Sequence, residues 1–142
     1  MSWDDFVGSL LKEDGVVDVA IWGYLPSNQT RWAAMKGGEL ENLTLEEVKG
    51  FLTHDRSSLF CNGVTVAGNK CTVVRDQLEV EAMNTLDLHS KGTGSPGDHK
   101  PAYVVGTSKS ALIVVKGGER VPCNKLNMAV YKMIHYLRDA NS

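Results

Sequence analysis

The chain lacks the features that mark several large classes of protein. Its three cysteines are odd in number and have no C-x-x-C spacing, which favours reduced thiols in a cytosolic protein over a disulfide framework or a zinc site. No apolar run approaches the roughly 18 residues that a membrane-spanning helix needs. With 15 basic and 17 acidic residues, the net charge of −2 predicts no nucleic-acid partner and no general attraction to membranes.

Catalytic and targeting motifs are missing as well. The four histidines are scattered without H-E-x-x-H spacing, and no G-x-S-x-G sequence occurs. The glycine-rich residues 92–101 lack the G-x-x-x-x-G-K-[ST] pattern, so we interpret them as a flexible surface loop and not as a phosphate cradle. Asp4 and Asp5 stand where a secretory signal carries basic residues. We therefore expect no enzyme, no catalytic residues, no metal and no cofactor.

What the chain does contain fits one ordinary globular domain. Its 142 residues are 42% hydrophobic and 23% charged, which is enough apolar surface for a sizeable core and too much for a disordered chain. We expect a single domain over residues 1–142. Within it, Thr44 and Glu47 have capping-box spacing, which predicts a short helix ending at Phe51 or Leu52.

Amphipathic helices are predicted at both ends of the chain. The first is expected to start after Ser2 as its N-cap and to end near Asp14-Gly15. Its apolar face consists of Trp3, Phe6, Val7, Leu10 and Leu11. The apolar face of the last helix, residues 123–139, consists of Leu126, Val130, Met133, Ile134 and Leu137. The spacing does not decide whether the first aromatic face fills a core or stays open as a stacking surface.

Between these helices the periodicity changes to that of β-strands. Strands are predicted at residues 16–24, 31–35, 58–61, 64–67, 70–76, 85–90, 103–107 and 111–116. Asn62-Gly63 predicts a tight hairpin turn between the third and fourth of these strands. The order of elements predicts an α+β fold, with the terminal helices packed on an antiparallel sheet.

Several short motifs, in their order and spacing, resemble those of profilins over essentially the whole chain. The matching stretches are Trp3, Ala20-Ile21-Trp22-Gly23-Tyr24, Trp32-Ala33-Ala34, Asp55-Arg56-Ser57-Ser58, Asn62-Gly63-Val64-Thr65, Lys70-Cys71-Thr72-Val73-Val74-Arg75-Asp76, Leu86-Asp87-Leu88 and Tyr136-Leu137-Arg138-Asp139. The segment from Asp55 to Asp76 is most similar to vertebrate-type profilins. The resemblance implies a central antiparallel sheet with the N- and C-terminal helices together on one face and a short helix on the other.

The same resemblance implies a monomer in the cytoplasm, associated with the cytoskeleton, that binds monomeric actin, proline-rich proteins of the formin type and acidic phosphoinositides. The implied polyproline-binding residues are Trp3, Phe6, Trp32 and Tyr136. Two departures predict a weaker proline site. Phe6 stands where a tyrosine is common, and the chain ends in Ser142 where the family has an aromatic residue.

The implied actin-binding surface is assigned to the central strands and the start of the last helix. Its residues are Phe60, Cys61, Lys70, Thr72, Val73, Arg75, His89, Lys91 and Asn127. This region also departs from the family pattern. His89 replaces an arginine, Met128 replaces a lysine, and Val121-Pro122-Cys123-Asn124 replaces a His-Gly-Gly turn.

Weak phosphoinositide binding is the third implied activity, because a headgroup needs several cations brought together. The candidate cations are Lys70, Arg75, Lys91, Lys125, Lys132 and Arg138. Two other hypotheses stay open from the sequence. The first is that the chain is an adaptor that binds proline-rich partners and has largely lost actin binding. The second is that it is a small-ligand sensor or metabolic enzyme on a similar scaffold. The last hypothesis requires a large internal pocket.

Overall fold

A seven-stranded antiparallel sheet runs through the computed structural model of the chain, which describes residues 2–92 and 100–142. The strands are β1 (Val16–Gly23), β2 (Arg31–Ala34), β3 (Val64–Val66), β4 (Asn69–Gln77), β5 (Thr85–Ser90), β6 (Ala102–Thr107) and β7 (Ala111–Gly117). Their order in space is β2-β1-β7-β6-β5-β4-β3, so the two shortest strands form the edges of the sheet.

Helices cover both faces of this sheet. They are α1 (Trp3–Leu11), α2 (Leu45–Phe51), α3 (Arg56–Asn62) and α4 (Cys123–Asp139), and a 3₁₀ turn lies at Glu39–Asn42. Because successive side chains of a strand point to opposite faces, the sheet contributes to two cores. The core beneath α1 and α4 includes Ile21 and Val104, and the core on the other face includes Leu88 and Val114. The predicted α+β fold, with the terminal helices on one face, is confirmed.

The predicted helix starts are confirmed by their hydrogen bonds. Ser2 and Asp5 form a capping box at the start of α1, and Thr44 and Glu47 form another at the start of α2. Each satisfies backbone N–H groups that the first turn of a helix leaves without a partner. The first helix ends at Leu11, three residues before the predicted stop. The predicted loop at residues 92–101 lies mostly outside the described residues.

One predicted hairpin is wrong. Residues 58–61 belong to α3 and not to a strand, because Asp55 caps a helix there by accepting a hydrogen bond from the Ser58 N–H. Gly63, with φ at +70°, ends this helix. A left-handed glycine suits a helix C-terminus as well as a tight turn, so Asn62-Gly63 was misinterpreted. The hairpin turn lies at Ala67-Gly68, between β3 and β4.

An arginine anchors the two short helices to the sheet. Arg56 Nε and Nη2 donate to the two carboxylate oxygens of Asp76 on β4, at 2.9 and 2.7 Å. Its Nη1 donates to the carbonyl oxygens of Phe51 and Thr53, at 2.6 and 3.1 Å. Burial alone would raise the pKa of Asp76, but the hydrogen bonds from Arg56 and from the Leu78 N–H outweigh burial and lower it.

None of the helices in the described ranges is long and apolar enough to cross a membrane.

Candidate ligand-binding surfaces

The four aromatic residues expected in the proline site form one continuous row. The ring centroids of Trp32 and Trp3 are 4.9 Å apart, and those of Trp3 and Phe6 are 5.4 Å apart. The row continues from Phe6 to Tyr136, with a centroid separation of 6.1 Å. Trp3 and Trp32 are half-buried, Phe6 is 9% exposed and Tyr136 is 54% exposed. The aromatic face of α1 is therefore partly open, through Trp3, and partly packed into the core, through Phe6.

Three separate elements bring this row together. Trp3 and Phe6 lie one turn apart on α1, Trp32 comes from the edge strand β2, and Tyr136 lies in the last turn of α4. Gly23 on β1 leaves room for the indole of Trp32, because a Cβ at this position would lie only 2.5 Å from that ring. The position therefore requires glycine for steric reasons.

A groove of about 300 Å³ extends the row between α1 and α4. It is lined by Phe6, Ser9, Leu10, Glu13, Ala129, Lys132, Met133 and Tyr136. An ion pair of 3.2 Å between Glu13 and Lys132 joins the segment that follows α1 to α4 at this groove. The row and the groove offer aromatic faces and apolar walls with polar groups at the margin, which suits an extended apolar segment.

A second surface is built by α3, the outer strands β4 and β5, and the start of α4. Most of the residues expected to bind actin are exposed on it, and these are Phe60, Cys61, Lys70, Thr72, Arg75, His89 and Lys91. Thr72 and His89 are direct cross-strand partners. Two expected residues are not on the surface. Val73 is 6% exposed and packs into the core beneath α2 and α3, and Asn127 is 8% exposed and hydrogen-bonded beneath α4.

Three apolar side chains are exposed on the elements of this surface, and sequence reasoning missed two of them, Val74 and Tyr131. Val74 is 54% exposed on β4, Met128 is 67% exposed and Tyr131 is 37% exposed on α4. Met128 and Tyr131 are three residues apart and so lie on one side of the helix. Both residues lie away from the apolar face of α4, and this spacing in the sequence was the signal that they would be exposed. The signal for Val74 was strand alternation, which places it on the exposed side of β4 together with Thr72.

Comparison with known proteins decides the family. The family model for profilin matches residues 1–142 of the chain.

The chain belongs to the profilin family.

Profilins of mammals match it over nearly their whole length. Rat Profilin-2 is 35% identical over 140 residues, which cover 97% of this chain and 96% of that protein. Mouse Profilin-1 is 36% identical over 138 residues, which cover 96% and 95%. The structure of mouse Profilin IIa in complex with a double repeat from the FH1 domain of mDia1 has a TM-score of 0.92 and 33% identity, and covers 100% of both chains.

The six candidate cations of this profilin-family chain are not gathered in one place, and one of them, Arg75, forms an ion pair of 3.2 Å with Asp87. On α4, Lys125 and Lys132 form ion pairs with Asp14 and Glu13, at 2.5 and 3.2 Å, and Arg138 donates to the carbonyl oxygen of Thr107. These side chains are held apart by their partners and are not gathered toward one ligand. Lys70 and Lys91, in contrast, line one surface depression of about 380 Å³ between α3 and the end of β5.

The thiols of this profilin-family chain differ in their surroundings. Burial raises the pKa of Cys71 to about 12 and that of Cys123 to about 11, so both are thiols at neutral pH. Cys61 is exposed on α3. Within residues 2–92 and 100–142, the structure contains no group of three or more His, Cys, Asp or Glu side chains arranged to hold a metal ion.

Proposed function

We propose that this protein binds monomeric actin on the surface of α3, β4, β5 and α4, and proline-rich segments on the aromatic row. The observation that carries the proposal is the continuous row from Trp32 through Trp3 and Phe6 to Tyr136. Membership of the profilin family supports it. So does the similarity to mouse Profilin IIa, which was solved with an FH1 repeat of mDia1.

The physical properties of the row suit a polyproline helix. Proline-rich segments are already extended before they bind, so docking costs little conformational entropy, and flat aromatic faces pack well on pyrrolidine rings. Indole N–H and phenol O–H groups can donate to the ligand's carbonyl oxygens, which proline leaves without an amide of its own. Phe6 lacks such a hydroxyl, so we propose an affinity below that of a chain with tyrosine at this position.

The proposed actin surface combines exposed apolar side chains with basic ones. Phe60 provides apolar area, and Lys70, Arg75 and Lys91 provide positive charge. Such charges speed the encounter with an acidic partner more than they add to affinity. Binding to an actin monomer would regulate polymerisation and nucleotide exchange through shape change and not through catalysis by this chain.

Two finer parts of the proposal concern membranes and location. We propose weak binding of acidic phosphoinositides through Lys70 and Lys91, because Arg75 and the α4 cations have other partners. Lys70 and Lys91 also belong to the proposed actin surface, so lipid and actin would compete. We propose a monomer that acts in the cytoplasm beside the cytoskeleton.

A second candidate function is a proline-reading adaptor with weak or lost actin binding. The Val121-Pro122-Cys123-Asn124 turn at the start of α4 and the exposed Met128 favour it. Both lie at the edge of the proposed actin surface, where the family commonly carries a His-Gly-Gly turn and a lysine. None of these changes falls on a residue of the aromatic row, so proline binding would be retained.

Two titrations test both candidates. Actin monomer is titrated with this protein at low salt, with affinity and nucleotide release as readouts, and polyproline is titrated with tryptophan fluorescence as readout. We expect micromolar actin affinity (about −8 kcal/mol) together with a saturable fluorescence change. Polyproline binding without actin binding would establish the adaptor. A folded protein that binds neither ligand would overturn both candidates.

A further inference from the structure

An irregularity in β4 turns Arg75 toward the face of the sheet that carries α4. Val73 pairs with Leu88 and Arg75 pairs with Asp87, so two steps along β4 match one step along β5. A β-bulge of this kind re-aims the side chains that follow it. Val73, before the bulge, points into the core beneath α2 and α3. Arg75, after the bulge, meets Asp87 on the opposite face.

Asp87 lies beneath the surface at the centre of a polar network. Its side chain is 4% exposed, and its Oδ2 accepts a hydrogen bond from Arg75 Nη2 at 3.2 Å. Its Oδ1 accepts a hydrogen bond from Asn127 Nδ2 at 2.8 Å, and the same nitrogen donates to Thr85 Oγ1 at 3.0 Å. One buried carboxylate thus holds an arginine of β4, whose side chain is 51% exposed, and the second turn of α4.

We propose that Asp87 is a positioning residue for the actin-binding surface; this rests on the proposed actin binding. A long arginine side chain loses rotamer freedom when a partner fixes it, and this loss is smaller when the side chain is already held. Asp87 holds Arg75 in advance of binding. Through Asn127 it also fixes α4 relative to β4, so the strand and helix parts of the surface keep one relative position.

The charge of Asp87 also has an effect that opposes positioning. Its negative charge partly neutralises Arg75 and would weaken the attraction of this cation for an acidic partner. The two effects predict opposite signs when the charge of Asp87 is removed. If positioning dominates, the affinity for actin falls, and if neutralisation dominates, it rises.

A double-mutant cycle tests the proposal. Asp87→Asn keeps the side-chain size and an oxygen for Asn127, but removes the charge that holds Arg75. We expect Asp87→Asn and Arg75→Ala each to weaken actin binding by about fivefold, and the double variant to be no weaker than either single variant. Lys70→Ala is the matched control, because Lys70 does not contact Asp87, and its effect should add to that of Asp87→Asn. Unchanged or tighter actin binding by Asp87→Asn, or additive losses with Arg75→Ala, would overturn the proposal.

Polyproline affinity and the urea unfolding midpoint serve as readouts of the fold, and neither should move enough to explain the loss of actin binding.

If Asp87→Asn does not fold, Arg75→Lys tests the same idea at an exposed position. It keeps the charge but gives up the planar guanidinium, and we expect it to bind actin nearly as weakly as Arg75→Ala. Wild-type affinity in Arg75→Lys would contradict positioning. A wild-type chain that does not bind actin would instead overturn the proposed function.

Discussion

Burial separates the three cysteines at the scale of single residues. Cys71 and Cys123 have raised pKa values, about 12 and about 11, chiefly because burial penalises their thiolates. Cys61 is exposed on α3. Since the thiolate is the reactive species, we expect Cys61 to react with Ellman's reagent at pH 8 about tenfold faster than the other two, or more. The measurement is the time course of thionitrobenzoate release from the reagent when it is mixed with the native protein.

A matched variant and a denatured sample complete this test. Cys61→Ser should remove the fast phase alone, and all remaining thiols should react quickly in concentrated urea. A fast phase that persists in Cys61→Ser would mean that Cys71 or Cys123 is more accessible than its burial indicates.

At the same scale, the sequence carried more information about the aromatic row than about the second surface. Trp3 and Phe6 were recognisable because they share one face of a strongly periodic helix, and the family resemblance supplied Trp32 and Tyr136. Strand alternation accounts for the burial of Val73, which lies on the same side of β4 as Cys71, but no sequence pattern shows the β-bulge that turns Arg75 to the other face. The burial of Asn127 depends on Asp87 and Thr85, which lie 40 and 42 residues away in the chain.

At the scale of elements, Arg56 joins α2 and α3 to the sheet. Its side chain and that of Asp76 are only 18% and 8% exposed, and the pair is bidentate. Removing one partner of such a pair leaves a buried charge uncompensated, so Arg56→Ala should lower the free energy of unfolding by about 3 kcal/mol. Urea unfolding measures this. Arg31→Ala is the control, because Arg31 is exposed and its Nη1 donates to the backbone carbonyl oxygen of Glu41. This substitution should change the free energy of unfolding by less than about 1 kcal/mol. Equal effects of the two substitutions would exclude an anchoring role for Arg56.

Elements with strong apolar periodicity could be predicted from the sequence, whereas the helix that contains Arg56 could not. The terminal helices and the strands from Thr85 to Gly117 have strong apolar periodicity, and their predicted positions agree with the structure to within one or two residues except at the end of α1. Helix α3 is short, and only Leu59 among its residues is buried. Its identity depends on the Asp55 cap and on Arg56 reaching Asp76, 20 residues away. A sequence pattern within one window does not contain that contact.

At the scale of the whole molecule, the Arg56–Asp76 pair predicts how stability depends on acid. The pKa of Asp76 is lowered in the folded state, so the unfolded chain, with a pKa of about 3.9, binds this proton more tightly. The contribution of Asp76 is therefore complete well above that pH and is lost as the pH falls through the folded pKa. The difference in unfolding free energy between the wild type and Asp76→Asn should be largest near pH 7 and shrink toward pH 2. A difference that is constant with pH would contradict this assignment.

The two proposed surfaces share no residue, which predicts that they can be damaged independently. Trp3→Ala should weaken polyproline binding by more than about thirtyfold, because it removes the centre of the aromatic row. Lys91→Glu should weaken actin binding by about tenfold through charge repulsion. Each variant should retain the other affinity, as measured by the paired titrations. If either variant loses both affinities equally, the cause is a folding defect and not the loss of one surface.

The two edges of the sheet have a consequence for how this protein behaves when it is concentrated. β3 has three residues and β2 has four, and β3 is bounded by Gly63 and the Ala67-Gly68 turn. Glu47 of α2 accepts hydrogen bonds from the Ala67 and Gly68 N–H groups, which fastens this corner to the body of the molecule. Short, fastened edges offer a poor template for an added strand from another molecule. Strand-by-strand growth into fibrils is therefore disfavoured at either edge, and we expect concentrated solutions of this protein to resist it.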